Sequence, residues 1–115
     1  MELTFLTLDD VLIIHSDQIS RYGGSGGIRG TALLDSALSV VHAQFEGEFA
    51  HESIYEMAAA YLYHITQNHP LLDGNKRTAA AAALIFLDLN GVEVWVDEDA
   101  GRACARGRSR ISRER

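Results

Sequence analysis

The stretch His69-Pro70-Leu71-Leu72-Asp73-Gly74-Asn75-Lys76-Arg77-Thr78-Ala79 gathers a proton acceptor, a carboxylate, a glycine, an amide and two cations, and it opens directly onto the run Ala79–Ala83. A helix that begins near Asn75 would present free N–H groups and positive charge to the incoming loop. Those are the ingredients of a phosphate site at a helix N-terminus. The spacing predicts this helix over 75–89, stopped by Asn90-Gly91. Five small side chains in a row let neighbouring helices approach from several sides, so this is expected to be the central helix of a small all-α domain.

Working outward, the preceding helix is predicted from about Glu52 to Gln67, burying Ile54, Met57, Ala58, Tyr61, Leu62 and Ile65. Nearer the start, Thr7 and Asp10 resemble a capping box opening a helix to about Ser20, with Leu8, Val11, Leu12, Ile14 and Ile19 apolar. Thr31 can cap another helix through Leu33, Leu34, Ala37, Leu38 and Val41 towards Phe45, ended by Gly47. Between these two, Arg21 to Gly30 holds five glycines in ten residues. It reads equally as a flexible connector or as a substrate-binding flap. Val92–Val96 alternates like a strand, paired with a short strand at 3–6, and Asp97 or Asp99 can cap a short last helix. The fold class expected is a helical bundle with a marginal β pair.

The 115 residues suffice for one hydrophobic core, and 47% hydrophobic with 23% charged residues is an ordinary globular composition. No apolar run approaches a membrane span, and residues 1–6 lack the pattern of a signal peptide. A single cysteine, Cys104, fits a reducing cytoplasm. The net charge of −6 hides an asymmetry: residues 1–101 carry only Arg21, Arg29, Lys76 and Arg77 against fifteen acidic residues, whereas 102–115 carry six arginines and one acid. The division expected is a domain over 1–101 and an Arg-rich tail over 102–115, disordered over its last ten residues. So acidic a body argues against direct nucleic-acid binding, no membrane partner is expected, and two of its four cations clustered in one motif point to a local anion site.

The residues of the motif carry two readings each. His69 can take a proton from an incoming hydroxyl, its unperturbed pKa being about 6.5. Taken alone it reads more simply as a cap on the carbonyls of the helix before it. Asp73 alone would be an N-cap, but two cations follow it. A carboxylate among phosphate-binding groups usually serves through Mg²⁺. Gly74 permits close approach of an anion to the backbone. Asn75 can fix the loop or donate to a phosphate. Lys76 and Arg77 sit in the first helical turn, where the dipole disfavours cations unless an anion is bound. Leu71 and Leu72 are expected to anchor the loop. His15, His42, His51 and His64 form no zinc-type spacing and read as surface or partly buried structural residues.

The motif resembles the Fic/Doc signature, His-x-Phe-x-(Asp/Glu)-(Gly/Ala)-Asn-(Gly/Lys)-Arg. Ile19-Ser20-Arg21-Tyr22-Gly23-Gly24, the Leu33-Leu34-x-x-Ala37-Leu38 pattern and Phe86-Leu87-x-Leu89-Asn90-Gly91 are similar to the death-on-curing (Doc) branch, and the likeness covers roughly residues 3–100. The resemblance implies a toxin of a toxin–antitoxin pair that uses ATP and Mg²⁺. Fic-type relatives move AMP and have glycine where this chain has Lys76. A lysine there implies that ATP is turned so that its γ-phosphoryl group goes to a Ser/Thr hydroxyl of a translation factor, elongation factor Tu in the family. By carry-over His69 is the base, Asp73 holds Mg²⁺, and Asn75, Lys76 and Arg77 hold phosphates with the Gly74 backbone. The segment 21–30 would be the flap that holds the target.

Two departures stand out. Leu71 replaces the signature's phenylalanine, and the Arg-rich end replaces a further helix found in relatives. No Ser/Thr-x-x-x-Glu-(Gly/Asn) inhibitory segment occurs, so the resemblance implies control by an antitoxin whose C-terminal segment folds onto the toxin. The alternatives are AMP transfer of Fic type and a catalytically weak protein that mainly binds a partner.

Overall fold

A computed structural model describes residues 3–45, 47–49, 53–97 and 102–107. The chain runs α1 (Leu8–Tyr22), α2 (Thr31–Val41), β1 (Gln44–Phe45), β2 (Glu48–Phe49), α3 (Ile54–Asn68), α4 (Asn75–Leu89), β3 (Val92–Asp97) and β4 (Arg102–Gly107). The four helices pack together, α4 against α1 and α3 and α2 against α3, and the β elements are two separate two-stranded pairs.

α4 is central for the reason its sequence suggests. Ala79 and Ala82 are completely buried, and Phe86 fills the space further along the same face. Met57, Ala58, Ala60, Tyr61 and Ile65 of α3 pack here, with Val11 and Ile14 of α1 and Leu34, Ala37, Leu38 and Val41 of α2 completing the core. The Tyr61 and Phe86 rings lie 5.0 Å apart, and Phe5 stacks on Phe86 at 5.9 Å. The Tyr61 hydroxyl accepts from the Leu6 N–H at 3.0 Å, tying the N-terminal segment to the core. Burial pushes the Tyr61 hydroxyl up to about 12, with a small further push from Asp10.

The helix starts follow capping chemistry. Thr7 and Asp10 form the expected reciprocal capping box on α1, which runs to Tyr22. Ser53 caps α3 by accepting from the Glu56 N–H, and Glu52 lies outside the described residues. At α2 the cap is Gly30 rather than Thr31: the Gly30 N–H is held by the Pro70 carbonyl at 3.0 Å, and the helix begins at Thr31, one residue earlier than a Thr31 cap would give. Leu62, expected in the core, is 42% exposed, one position round from the buried face.

Three further expectations give way. α2 stops at Val41 rather than continuing to Phe45, since Gln44 and Phe45 pair with Phe49 and Glu48 around Gly47, which adopts φ +85°. Val92–Asp97 pairs not with residues 3–6 but with Arg102–Gly107, antiparallel from Val92↔Gly107 to Asp97↔Arg102. Residues 3–6 are held instead by a side chain that imitates a strand. Asn90 accepts from the Thr4 N–H and donates to the Thr4 carbonyl, both at 2.8 Å. The last helix foreseen after Asp97 is replaced by β4, which also takes the first six residues of the segment expected as a tail. Asp99 and residues 108–115 lie outside the described residues.

Candidate active site

The motif loop closes on itself through Asn75. Its side-chain oxygen accepts from the Leu71 N–H and its NH₂ donates to the Leu71 carbonyl, both at 2.9 Å. Asn75 is 6% exposed, so the two bonds satisfy an amide that burial would otherwise penalise. Of the two roles open to this side chain, fixing the loop is the one this arrangement makes. Leu71 is fully buried and anchors the loop as expected, while Leu72 turns outward and is 57% exposed. The reason is local: Leu71 bridges Ile28 in extended backbone, where successive side chains point to opposite sides.

His69 is the C-cap of α3 and lies in the left-handed region, φ 50° and ψ 53°. It is the only non-glycine with positive φ among the described residues. Its N–H donates to the Ile65 carbonyl at 3.2 Å. The capping and base readings therefore coexist: the backbone closes the helix, and the exposed side chain is left at the wall of a cavity.

That cavity has a volume of about 420 Å³ and is lined by Thr66, His69, Leu72 and the continuous run 73–77. Its floor is the first turn of α4. The N-cap there is Gly74, left-handed at φ 76° and with no side-chain cap. The first amides of a helix have no intrahelical acceptor, so this uncapped end offers N–H groups to an anion. A Cβ on Gly74 would sit 3.3 Å from Ile19 and 3.4 Å from an Arg77 nitrogen, so glycine serves both conformation and close approach.

Asp73 is the one carboxylate among the described lining residues. It accepts from the Gly74 N–H at 2.8 Å through Oδ1 and from the Ser25 N–H at 3.3 Å through Oδ2. Arg77 donates to the Gly23 carbonyl at 3.0 Å and stands over the Tyr22 ring at 5.7 Å. Lys76 is exposed, with no ion-pair partner among the described residues. One carboxylate and two cations beside free helix amides suit a phosphate chain carrying a divalent ion.

The glycine-rich segment is docked on this loop at both ends, as a strap. The Arg29 and Gly30 N–H groups donate to the Pro70 carbonyl, and the Leu72 N–H donates to the Gly27 carbonyl. At its other end Gly24 lies so close to Asp73 that a Cβ would meet Oδ2 at 2.4 Å. That contact accounts for glycine at position 24.

All six residues expected to form the site, His69, Asp73, Gly74, Asn75, Lys76 and Arg77, line one cavity. Sequence reasoning passed over three others. His15 is 3% exposed, and its Nε2–H donates to the Asp73 carbonyl at 2.9 Å, reaching from α1 to the entrance of α4. Arg29 donates to the carbonyls of Asn68 and His69. Thr66 carries a buried hydroxyl with no protein partner on the cavity wall. His15 and Arg29 act on backbone atoms, which leave no pairing pattern in a sequence. Thr66, one turn before His69 on a helix, was the most findable of the three.

Comparison with known proteins gives the family. The model of the Fic/DOC family matches residues 5–87. Toxin Doc of Mycolicibacterium smegmatis is 41% identical over 99 residues, which cover 86% of this chain and 74% of that protein. Protein kinase doc of Escherichia phage P1 is 34% identical over 87 residues, covering 76% of this chain and 68% of that protein. The match spans α1 to α4 and every residue of the cavity wall. The chain belongs to the Fic/Doc family, and within it to the Doc branch.

Proposed function

We propose that this protein is the toxin of a toxin–antitoxin pair and a kinase that transfers the γ-phosphoryl group of ATP to a Ser/Thr hydroxyl of a translation factor. The observation that carries the proposal is one cavity in which an exposed histidine faces the uncapped N-terminus of α4 with Asp73, Lys76 and Arg77 beside it. Kinship with a protein named for kinase activity and another named as a toxin supports the same reading.

The residues present fit a nucleotide with its metal. The α4 amides and the two cations would hold phosphate oxygens, and Asp73 would hold Mg²⁺. When bound, Mg²⁺ supplies charge neutralisation across the phosphates. The protein's own contribution is positional. His69 accepts the proton of the target hydroxyl as its oxygen bonds to the γ-phosphorus and the bond to the β,γ-bridging oxygen breaks, leaving ADP. Lys76, placed where Fic-type relatives carry glycine, fills space beside the helix end and favours the orientation that presents the γ group. The strap, paired along the motif loop, would hold a target segment near His69. Elongation factor Tu is the target that family resemblance favours, and an antitoxin is the partner.

The test is to incubate the purified protein with Mg²⁺, elongation factor Tu and ATP labelled at the γ- or the α-phosphate, beside His69→Ala. Transfer of γ label that requires His69 is the expected result. Transfer of α label would replace the proposal with AMP transfer. Absence of both labels on the target, from a folded protein, would favour a partner-binding role.

A further inference from the structure

Arg29 lies outside the signature motif, yet it addresses three consecutive backbone carbonyls around His69. Its Nε donates to the His69 carbonyl at 2.6 Å, its Nη2 to the Asn68 carbonyl at 2.9 Å, and its backbone N–H to the Pro70 carbonyl at 2.7 Å. We infer that Arg29 is a positioning residue, which holds His69 in the left-handed conformation that presents its imidazole to the cavity. The inference rests on the reading of His69 as the base.

The physical argument starts from the end of α3. The last carbonyls of a helix lack intrahelical donors and carry the negative end of the macrodipole. A left-handed histidine is uncommon there and persists only where the surroundings fix it. Arg29 supplies that fixation. A planar guanidinium presents two donors in a fixed fork, so one side chain can hold neighbouring carbonyls in a set relation, which a lysine ammonium does less well. The charge also suits the site: Arg29 is one of only four cations in residues 1–101, and it is placed against a helix C-terminus rather than a carboxylate. Because Arg29 belongs to the strap, a target segment that engages the strap would also bear on the base.

Arg29 does not line the cavity, so its loss should act on turnover rather than on nucleotide binding. In Arg29→Ala, kcat for γ-phosphoryl transfer to elongation factor Tu is expected to fall by about 10- to 100-fold, the scale of a base displaced by a fraction of its reach. The affinity for MgATP, measured by calorimetry, should be unchanged. Added methylguanidinium should restore part of kcat to Arg29→Ala, and Arg29→Lys should retain part of it. Unchanged kcat would overturn the inference. So would a joint fall of kcat, MgATP affinity and Tm that methylguanidinium does not relieve, because that pattern marks general destabilisation. A second readout separates this inference from the kinase reading. The backbone carbon shifts of His69 should leave their left-handed values in Arg29→Ala, even if the wild type transfers nothing to this target. If they stay, Arg29 does not position His69.

Discussion

Asn75 illustrates how a signature residue can serve a site by shaping the loop that forms it. Its two hydrogen bonds to Leu71 span the turn that carries Asp73 and Gly74 to the start of α4. Asn75→Ala would leave the buried N–H and carbonyl of Leu71 unpaired, a cost of roughly 2–4 kcal/mol by the usual penalty for two such groups. Chemical denaturation should register that loss in the midpoint, and MgATP affinity should fall with it because the α4 entrance loses its frame. Wild-type stability in Asn75→Ala would contradict the role given to this side chain. His15 acts in a comparable way from a distance, by holding the Asp73 carbonyl. At this scale the sequence was readable where a residue's type announces its chemistry. It was silent where a side chain serves a backbone atom elsewhere, as His15, Arg29 and Asn90 do.

Among the elements, the strap is the one whose composition is decided by contact. Gly24 combines φ +117° with a carboxylate oxygen where its Cβ would be, whereas Gly26 faces open space without a positive φ. Gly24→Ala should therefore turn the Asp73 carboxylate away from the Ser25 N–H and weaken Mg²⁺-dependent nucleotide binding, with about 1 kcal/mol of stability lost to backbone strain. Gly26→Ala should leave both near wild type. Equal effects at the two positions, read by calorimetry and thermal melting, would refute the contact. The choice between connector and flap could not be made from five glycines, because it depends on Gly23, Ser25 and Gly27–Gly30 meeting residues 40 or more positions later. α4 was legible almost to the residue for the opposite reason. Its start at the left-handed Gly74 and its stop at Asn90 are set by neighbouring residues of the sequence. The partner of β3 was not legible, because alternation marks a strand without saying what lies beside it.

For the whole molecule, the core ties the N-terminal segment to α3 and α4 through Tyr61, Phe86 and Asn90, and the burial of the Tyr61 hydroxyl in it gives stability a specific alkaline limit. Tyr61 ionises at about 12 in the folded protein, against 10.0 ordinarily. A raised pKa means that the unfolded chain loses this proton first. The associated stability is therefore fully present below about pH 10 and lost as pH rises towards 12, for a total of about 2–3 kcal/mol. Tyr61→Phe should lower stability at pH 7 by about 1 kcal/mol, by leaving the Leu6 N–H unpaired, and should flatten the alkaline decline. An identical decline in the variant would mean that Tyr61 does not set it. The same core fixes α3 and α4 side by side, and so sets His69, the proposed base, at the end of one helix against the start of the other, the proposed phosphate site.

That juxtaposition is the central claim, and a titration of the labelled protein with MgATP, followed amide by amide in NMR spectra, tests it most directly without needing a target. The account predicts that the largest shifts fall on Gly74, Asn75, Lys76 and Arg77, with Ser25 following as Asp73 engages Mg²⁺. Shifts concentrated instead around a separate cavity, lined by Phe5–Leu8 with Asp35, Leu38, Ser39 and His42, or no shifts at the α4 entrance of a folded protein, would contradict it.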